Sequence, residues 1–243
     1  MGISRRDAIG AAATALLAGA TPAWAQRAPK AAPLTSTLGL DATHYGVRPG
    51  SPDDQTRLLQ RALDEAARAQ APLALPPGVY RTGTLNLSNG AQLIGVRGAT
   101  KFVFTGGPSL LTAAGANSIG LRDITFDGGG IALPQRRGLI HCGAGRDIRI
   151  TDCEIARSGG NGIWFENVAG EVRGNIIRHI ATTAVVSFDA QGLLVAQNTI
   201  ADTNDNGIEI LRTAVGDDGT QVIDNRIEDI KAGPGGSGQY GNA

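Results

Sequence analysis

Four polar side chains recur at nearly equal spacing: Arg157, His179, Asp202 and Asp229 stand 22, 23 and 27 residues apart. If each step is one turn of a stacked structure, a cation, an imidazole and two carboxylates lie in file about 5 Å apart. A base beside a cation can abstract a carbon-bound proton and stabilise the resulting enolate. Two carboxyl groups roughly 5 to 9.5 Å apart can instead hydrolyse a glycosidic bond. In such a site His179 is the base or acid, Asp202 its partner and Arg157 the charge stabiliser. The bland alternative is a corner ladder of alternating charges that stabilises stacking.

A second group of side chains projects outward from neighbouring segments: Trp164 with Glu166, Val186 with Phe188, and Glu209 with Leu211. A flat face bearing Trp and Phe beside carboxylates can stack sugar rings and bind their hydroxyls, so Trp164, Glu166 and Glu209 are candidate subsites. An ordinary mixed surface is the competing reading. Asp123 and Asp152 form one further acidic pair, able to hold calcium only if backbone oxygens complete the shell. No other cofactor is expected. CxxC and HExxH are absent, which excludes the usual zinc sites.

These residues matter only if a repeat brings them together. Ile124, Cys153, Asn175, Asn198 and Asn225 each open a similar unit, at steps of 29, 22, 23 and 27 residues. Three residues before each lies an apolar residue (Leu121, Ile150, Val172, Val195, Val222), and two after it another (Phe126, Ile155, Ile177, Ile200, Ile227). Ten residues on, the middle units place Ile163, Val185 and Ile208. Period-two alternation inside short runs means strands, and a fixed period with Gly, Asn and Asp punctuation means a solenoid. The expected fold is all-β, a single-stranded parallel β-helix. Asn175, Asn198 and Asn225 then stack inward, and buried amides in that position must bond one another and the adjacent backbone. Cys142 and Cys153 are expected as two buried thiols.

Ahead of the repeat, Ser51-Pro52-Asp53-Asp54 reads as the start of a helix running to about Ala69. Leu58, Leu59, Ala62, Leu63 and Ala66 form its apolar stripe, suited to covering the open first coil. Leu73 to Tyr80, broken by Pro76-Pro77-Gly78, reads as two strands and a turn, with further strands at 84–87, 91–94 and 101–104. Tyr45-Gly46-Val47, the Asp53-Asp54 helix start and Leu75-Pro76-Pro77-Gly78-Val79-Tyr80 together resemble the N-terminal part of the pectate-lyase-like superfamily. That resemblance implies a right-handed parallel β-helix with an N-terminal capping α-helix. The superfamily includes lyases, hydrolases, epimerases and phage tail proteins, so the fold leaves function open. Asn204-Asp205-Asn206-Gly207-Ile208 resembles the Asp-Asp segment of polygalacturonases and makes Asp205 a candidate acid. Asn206 stands in place of one acid, and neither Gly-His-Gly nor Arg-Ile-Lys follows. Turn chemistry explains the same cluster.

The N-terminus carries Ser4-Arg5-Arg6-Asp7, a mild apolar run from Ala8 to Ala20 and Ala23-Trp24-Ala25. Paired arginines, a short weakly apolar core and an A-x-A site spell a twin-arginine export signal over residues 1–25, too short to span a membrane. Residues 26–40 read as a flexible leader and 41–243 as the β-helix domain. The Gly-rich stretch from Lys231 gives the last unit no apolar partner, so the domain is expected to be incomplete at its C-terminus. Lys+Arg and Asp+Glu both number 22, so no global field recruits nucleic acid or an anionic membrane. The expectation is an exported periplasmic protein, carbohydrate-active as a polysaccharide binder, lyase, hydrolase or epimerase. The alternative is a non-catalytic scaffold for envelope binding or assembly.

Overall fold

The alternation of buried and exposed residues resolves into three parallel sheets wound as successive coils. A computed structural model describes residues 35–36 and 39–232. The proposed export signal, most of the leader and residues 233–243 lie outside the described residues. Sheet A carries nine strands, sheet B seven and sheet C six, and each coil visits them in the order A, B, C. One complete coil is Ile148–Thr151, Glu154–Ser158 and Asn161–Glu166. Seven such turns follow one another, the seventh contributing Gln221–Ile223 and Arg226–Ile230 among the described residues. The winding is right-handed, as the resemblance implied.

Stacked identical positions build the core. Sheet A files Leu73, Leu93, Leu121, Ile150, Val172 and Val195 directly above one another. Sheet C does the same with Leu85, Leu111, Ile140, Ile163 and Val185, all essentially inaccessible to water. In sheet B the rings of Phe102 and Phe126 stack with centroids 5.8 Å apart and planes within 3°. Each such side chain contributes about 1.5–3 kcal/mol on burial.

The corner between sheets A and B needs a polar solution, and the asparagines supply it. Asn175 Oδ1 accepts from the Cys153 N–H at 2.9 Å, while its Nδ2 donates to Ile150 O and to Asn198 Oδ1, both at 2.9 Å. Asn198 repeats the pattern, accepting from the Asn175 N–H and donating to Val172 O and Asn225 Oδ1. Asn175 and Asn198 are each 1% exposed, so both of these amides are buried with their bonds made. Cys142 and Cys153 are free and buried.

The capping helix α1 spans Thr56–Arg68, later than the Ser51 start that the capping pattern predicts. Gln55 explains the delay. Its side chain folds back onto the Arg48 backbone, accepting from the N–H at 2.7 Å and donating to the C=O at 2.9 Å, which holds the preceding segment in a turn. Leu59, Ala62, Leu63 and Ala66 are buried as expected, whereas Leu58 is exposed at the rim of the stripe. The cap closes the first coil chemically as well as sterically. Gln60 accepts from the Asn86 N–H at 2.8 Å and donates to Asn86 O at 2.9 Å, as a neighbouring strand would. Thr56 Oγ1 accepts from the Gly83 N–H at 2.6 Å. An edge so paired offers no ladder to another chain.

Candidate functional site

One left-handed residue within each of the last four sheet B strands, matched from strand to strand, places the polar file. Pairing runs Ala156 with Arg178 and Ser158 with Ile180, stepping over Arg157 and His179, and it steps over Asp202 and Asp229 in the same way. All four skipped residues have left-handed backbone, with φ of 52°, 57°, 55° and 54°. Asp and His tolerate that region better than most residues, and the left-handed residue leaves the ladder at the same position on each strand. The file predicted from spacing is therefore real, and its residues point away from the core.

Their contacts are unequal. His179 Nδ1 lies 2.5 Å from Asp202 Oδ2. Arg178 Nη1 lies 3.1 Å from His179 Nε2. A guanidinium only donates, so Nε2 accepts and the ring proton sits on Nδ1, given to Asp202. Arg178 is itself held by Glu154 on the preceding coil, at 2.6 and 2.8 Å. The other Asp202 oxygen pairs with Lys231. Lys231 and then His179 hold the Asp202 carboxyl below its usual range, so it is ionised at neutral pH.

Arg157 turns the other way, to Asp127 on the preceding coil. The pair is bidentate, with Nε to Oδ1 at 2.8 Å and Nη2 to Oδ2 at 2.5 Å. Lys101 Nζ donates to the same carboxylate at 2.9 Å and the Gly129 N–H at 2.9 Å. Burial alone would raise the Asp127 carboxyl, yet Arg157, the Gly129 amide and Lys101 outweigh it and bring it down to about 2. Arg157 remains half exposed and lines the same open groove as Ser158, His179, Asp202 and Asn204, with Gly129 and Gly130 opposite. The groove measures about 400 Å³. Arg157, His179 and Asp202 thus share one site; Asp205 does not line it.

The loop that walls this groove, residues 128–137, also changes the outer face of sheet C. Trp164 faces outward as alternation predicts, but it is 6% exposed. Its indole N–H donates to Glu166 Oε1 at 2.7 Å, its ring lies 5.2 Å from Phe188, and the guanidinium of Arg136 covers both rings. The expectation of an open aromatic platform therefore fails at Trp164, because the inserted loop lies over it. Glu166 stays accessible in a second groove of about 350 Å³, shared with Arg137 and His141. Burial raises the Glu209 carboxyl, and Asp205 raises it further.

Sequence reasoning missed His141, whose Nδ1 is buried without a partner. Burial, then Arg137, lower its pKa against the opposing pull of Glu166. The signal was present, since His141 stands between the inward Ile140 and Cys142. The long 29-residue step hid the strand Gly138–Gly143 behind its inserted loop. Asp123 and Asp152 already have arginine partners, Arg122 at 3.4 Å and Arg97 at 3.1 Å. Among the described residues no three His, Cys, Asp or Glu side chains cluster around a possible metal position. No described helix is long and apolar enough to cross a membrane.

Known proteins resemble this chain mainly in fold. A mannuronan C-5 epimerase A-module from Azotobacter vinelandii superposes with a TM-score of 0.65 at 19% identity, over 78% of this chain. The chain spans 56% of that module's length. A Parabacteroides merdae protein provisionally named a glycosyl hydrolase gives 0.58 at 15% identity, over 78% of this chain and 96% of its own. An N-terminal fragment of gene product 12 from bacteriophage phi29 gives 0.63 at 17% identity, over 79% of this chain and 37% of its own. Among curated proteins none matches. Residues 109–241, more than half of the chain, match the model described as right-handed beta helix region, and the chain belongs to that family.

Proposed function

We propose that this is an exported, carbohydrate-active protein whose His179–Asp202 pair moves a proton on a polysaccharide lying in the groove. The observation that carries this reading is the 2.5 Å contact between His179 Nδ1 and Asp202 Oδ2 in an open groove. With its Nδ1 proton committed to Asp202, neutral His179 has one basic atom left, Nε2. Arg178 occupies that lone pair at 3.1 Å and must swing aside when substrate arrives. Nε2 then takes the proton, and the Asp202 carboxylate stabilises the imidazolium. Arg157, fixed by Asp127, presents a positive charge on the groove wall where an enolate would develop. Lyase or epimerase chemistry fits better than hydrolysis. A hydrolase needs one carboxyl protonated as general acid, and Asp202 is held ionised. The epimerase fold among the solved structures supports the same direction.

The second reading is a non-catalytic scaffold. Its support is that the same contacts, Arg157 to Asp127 and Lys231 to Asp202, stitch one coil to another. Incubating the full chain with uronate and neutral polysaccharides separates the two. Ultraviolet absorbance reads unsaturated ends, a reducing-end assay reads hydrolysis, and deuterium wash-in reads reversible proton abstraction. Product or exchange that falls about 100-fold or more in His179→Gln supports proton transfer. Binding with no product and no exchange on any polymer establishes the scaffold instead.

A further inference from the structure

We propose that Arg136 is a specificity-determining residue that recognises an oxyanion, a carboxylate or a sulfate ester, on the glycan; this rests on the polysaccharide reading above. Its guanidinium carbon lies 5.9 Å from the Trp164 ring centroid and 5.3 Å from that of Phe188. The two rings, 5.2 Å apart and tilted by 34°, make a floor for one planar cation. The charge on that floor is uncompensated: among the described residues no carboxylate forms an ion pair with Arg136. Glu166, two residues beyond Trp164 on the same strand, is engaged by the Trp164 N–H at 2.7 Å.

A guanidinium resting against aromatic rings still has N–H groups to donate, and its fork matches a carboxylate or sulfate in two parallel bonds. The support also removes the usual entropic cost of fixing a long side chain on binding. Backbone geometry holds the arginine in place from both sides. Arg136 itself adopts φ of 58°. On one side the Gly130 N–H donates to Arg157 O at 2.8 Å. On the other, Arg137 O accepts from the Asn161 N–H at 3.3 Å and from Asn161 Nδ2 at 3.0 Å. Arg137 adds a second positive charge at the mouth of the groove it shares with His141 and Glu166. A glycan crossing loop 128–137 meets Arg136 there before its sugar ring can touch the aromatic pair.

Trp164 makes the idea measurable. The chain's other tryptophan is Trp24, in the proposed export signal, so in a Trp24→Phe background emission reports Trp164 alone. The titrants are an oligouronate, its methyl ester and a sulfated neutral oligosaccharide of similar length. The expected result is that the free acid or the sulfated oligomer binds and shifts the emission, while the ester binds about tenfold more weakly or worse. Arg136→Gln should lower acid binding about tenfold and leave ester binding unchanged, and Arg136→Lys should fall between. Arg61→Gln on α1 should have no effect, and unchanged thermal unfolding of each variant shows the fold intact. Equal binding of acid and ester, or an undiminished Arg136→Gln, overturns the role of Arg136 and leaves the polysaccharide reading standing. Absence of binding by every oligomer sinks both.

Discussion

Replacing Asn198 by Ala tests whether the amide file holds the coils together. Asn198 makes four hydrogen bonds: it accepts from the Asn175 N–H and Nδ2 at 3.0 and 2.9 Å and donates to Val172 O and Asn225 Oδ1, each at 2.9 Å. At about 1 kcal/mol net for each bond, the loss is about 4 kcal/mol, a large share of the roughly 5–15 kcal/mol that stabilises a domain. The cost is concentrated at the Asn175 N–H, which no other acceptor reaches and water cannot enter to rescue. Asn225→Ala removes three similar bonds, but Asn225 is half-buried on the last described coil, and water replaces them for about 1 kcal/mol. Urea denaturation followed by circular dichroism gives both numbers. Coils of a solenoid can melt separately, so amide exchange at Asn175 provides a local readout and should quicken in Asn198→Ala. Equal destabilisation by the two variants, or a loss under about 1 kcal/mol at Asn198, refutes the reasoning.

Asp127 should give the acid side of the stability profile its shape. Its folded pKa of about 2 lies below the ordinary 3.8, so its contribution is present above about pH 4 and lost as pH falls through 2. The shift corresponds to about 2 kcal/mol, and Asp127→Asn should flatten the profile in that window; a variant that keeps the wild-type slope removes Asp127 as the cause. The thiols give a simpler test: burial pushes both Cys142 and Cys153 up to about 12, so a disulfide-exchange reagent should titrate neither in the native protein and both in denaturant. A thiol that reacts fast in the native state contradicts the burial of its strand.

The repeat was legible because its signals are local and periodic. Asn175, Asn198 and Asn225, with apolar residues three before and two after, give register, inward face and corner position without any long-range information. Outward direction was equally legible at Trp164, since alternation alone decides it. Accessibility was not. Whether an outward ring meets water depends on where loop 128–137 lies, and that loop has no periodicity to read. The same insertion hid His141 by lengthening one step to 29 residues. At α1 a propensity rule failed for a different reason. Ser51 and Pro52 suit a helix start, but two hydrogen bonds from the Gln55 side chain to Arg48 outcompete it. Spacing placed Arg157 beside His179 in the file. Only the structure shows it gripped by Asp127, the last residue of the preceding sheet B strand, Thr125–Asp127.

The file at Arg157, His179, Asp202 and Asp229 also bears on how such a protein can change. Because these residues sit outside the paired register, their side chains can be exchanged without disturbing the backbone ladder that joins one coil to the next. The restriction is steric rather than architectural: left-handed backbone admits Asn, Asp, His or Gly readily and β-branched residues poorly. Mutation at these corners therefore draws on a short alphabet that happens to be rich in acids and imidazoles, so drift along the spine repeatedly samples catalytic vocabulary at little risk to folding.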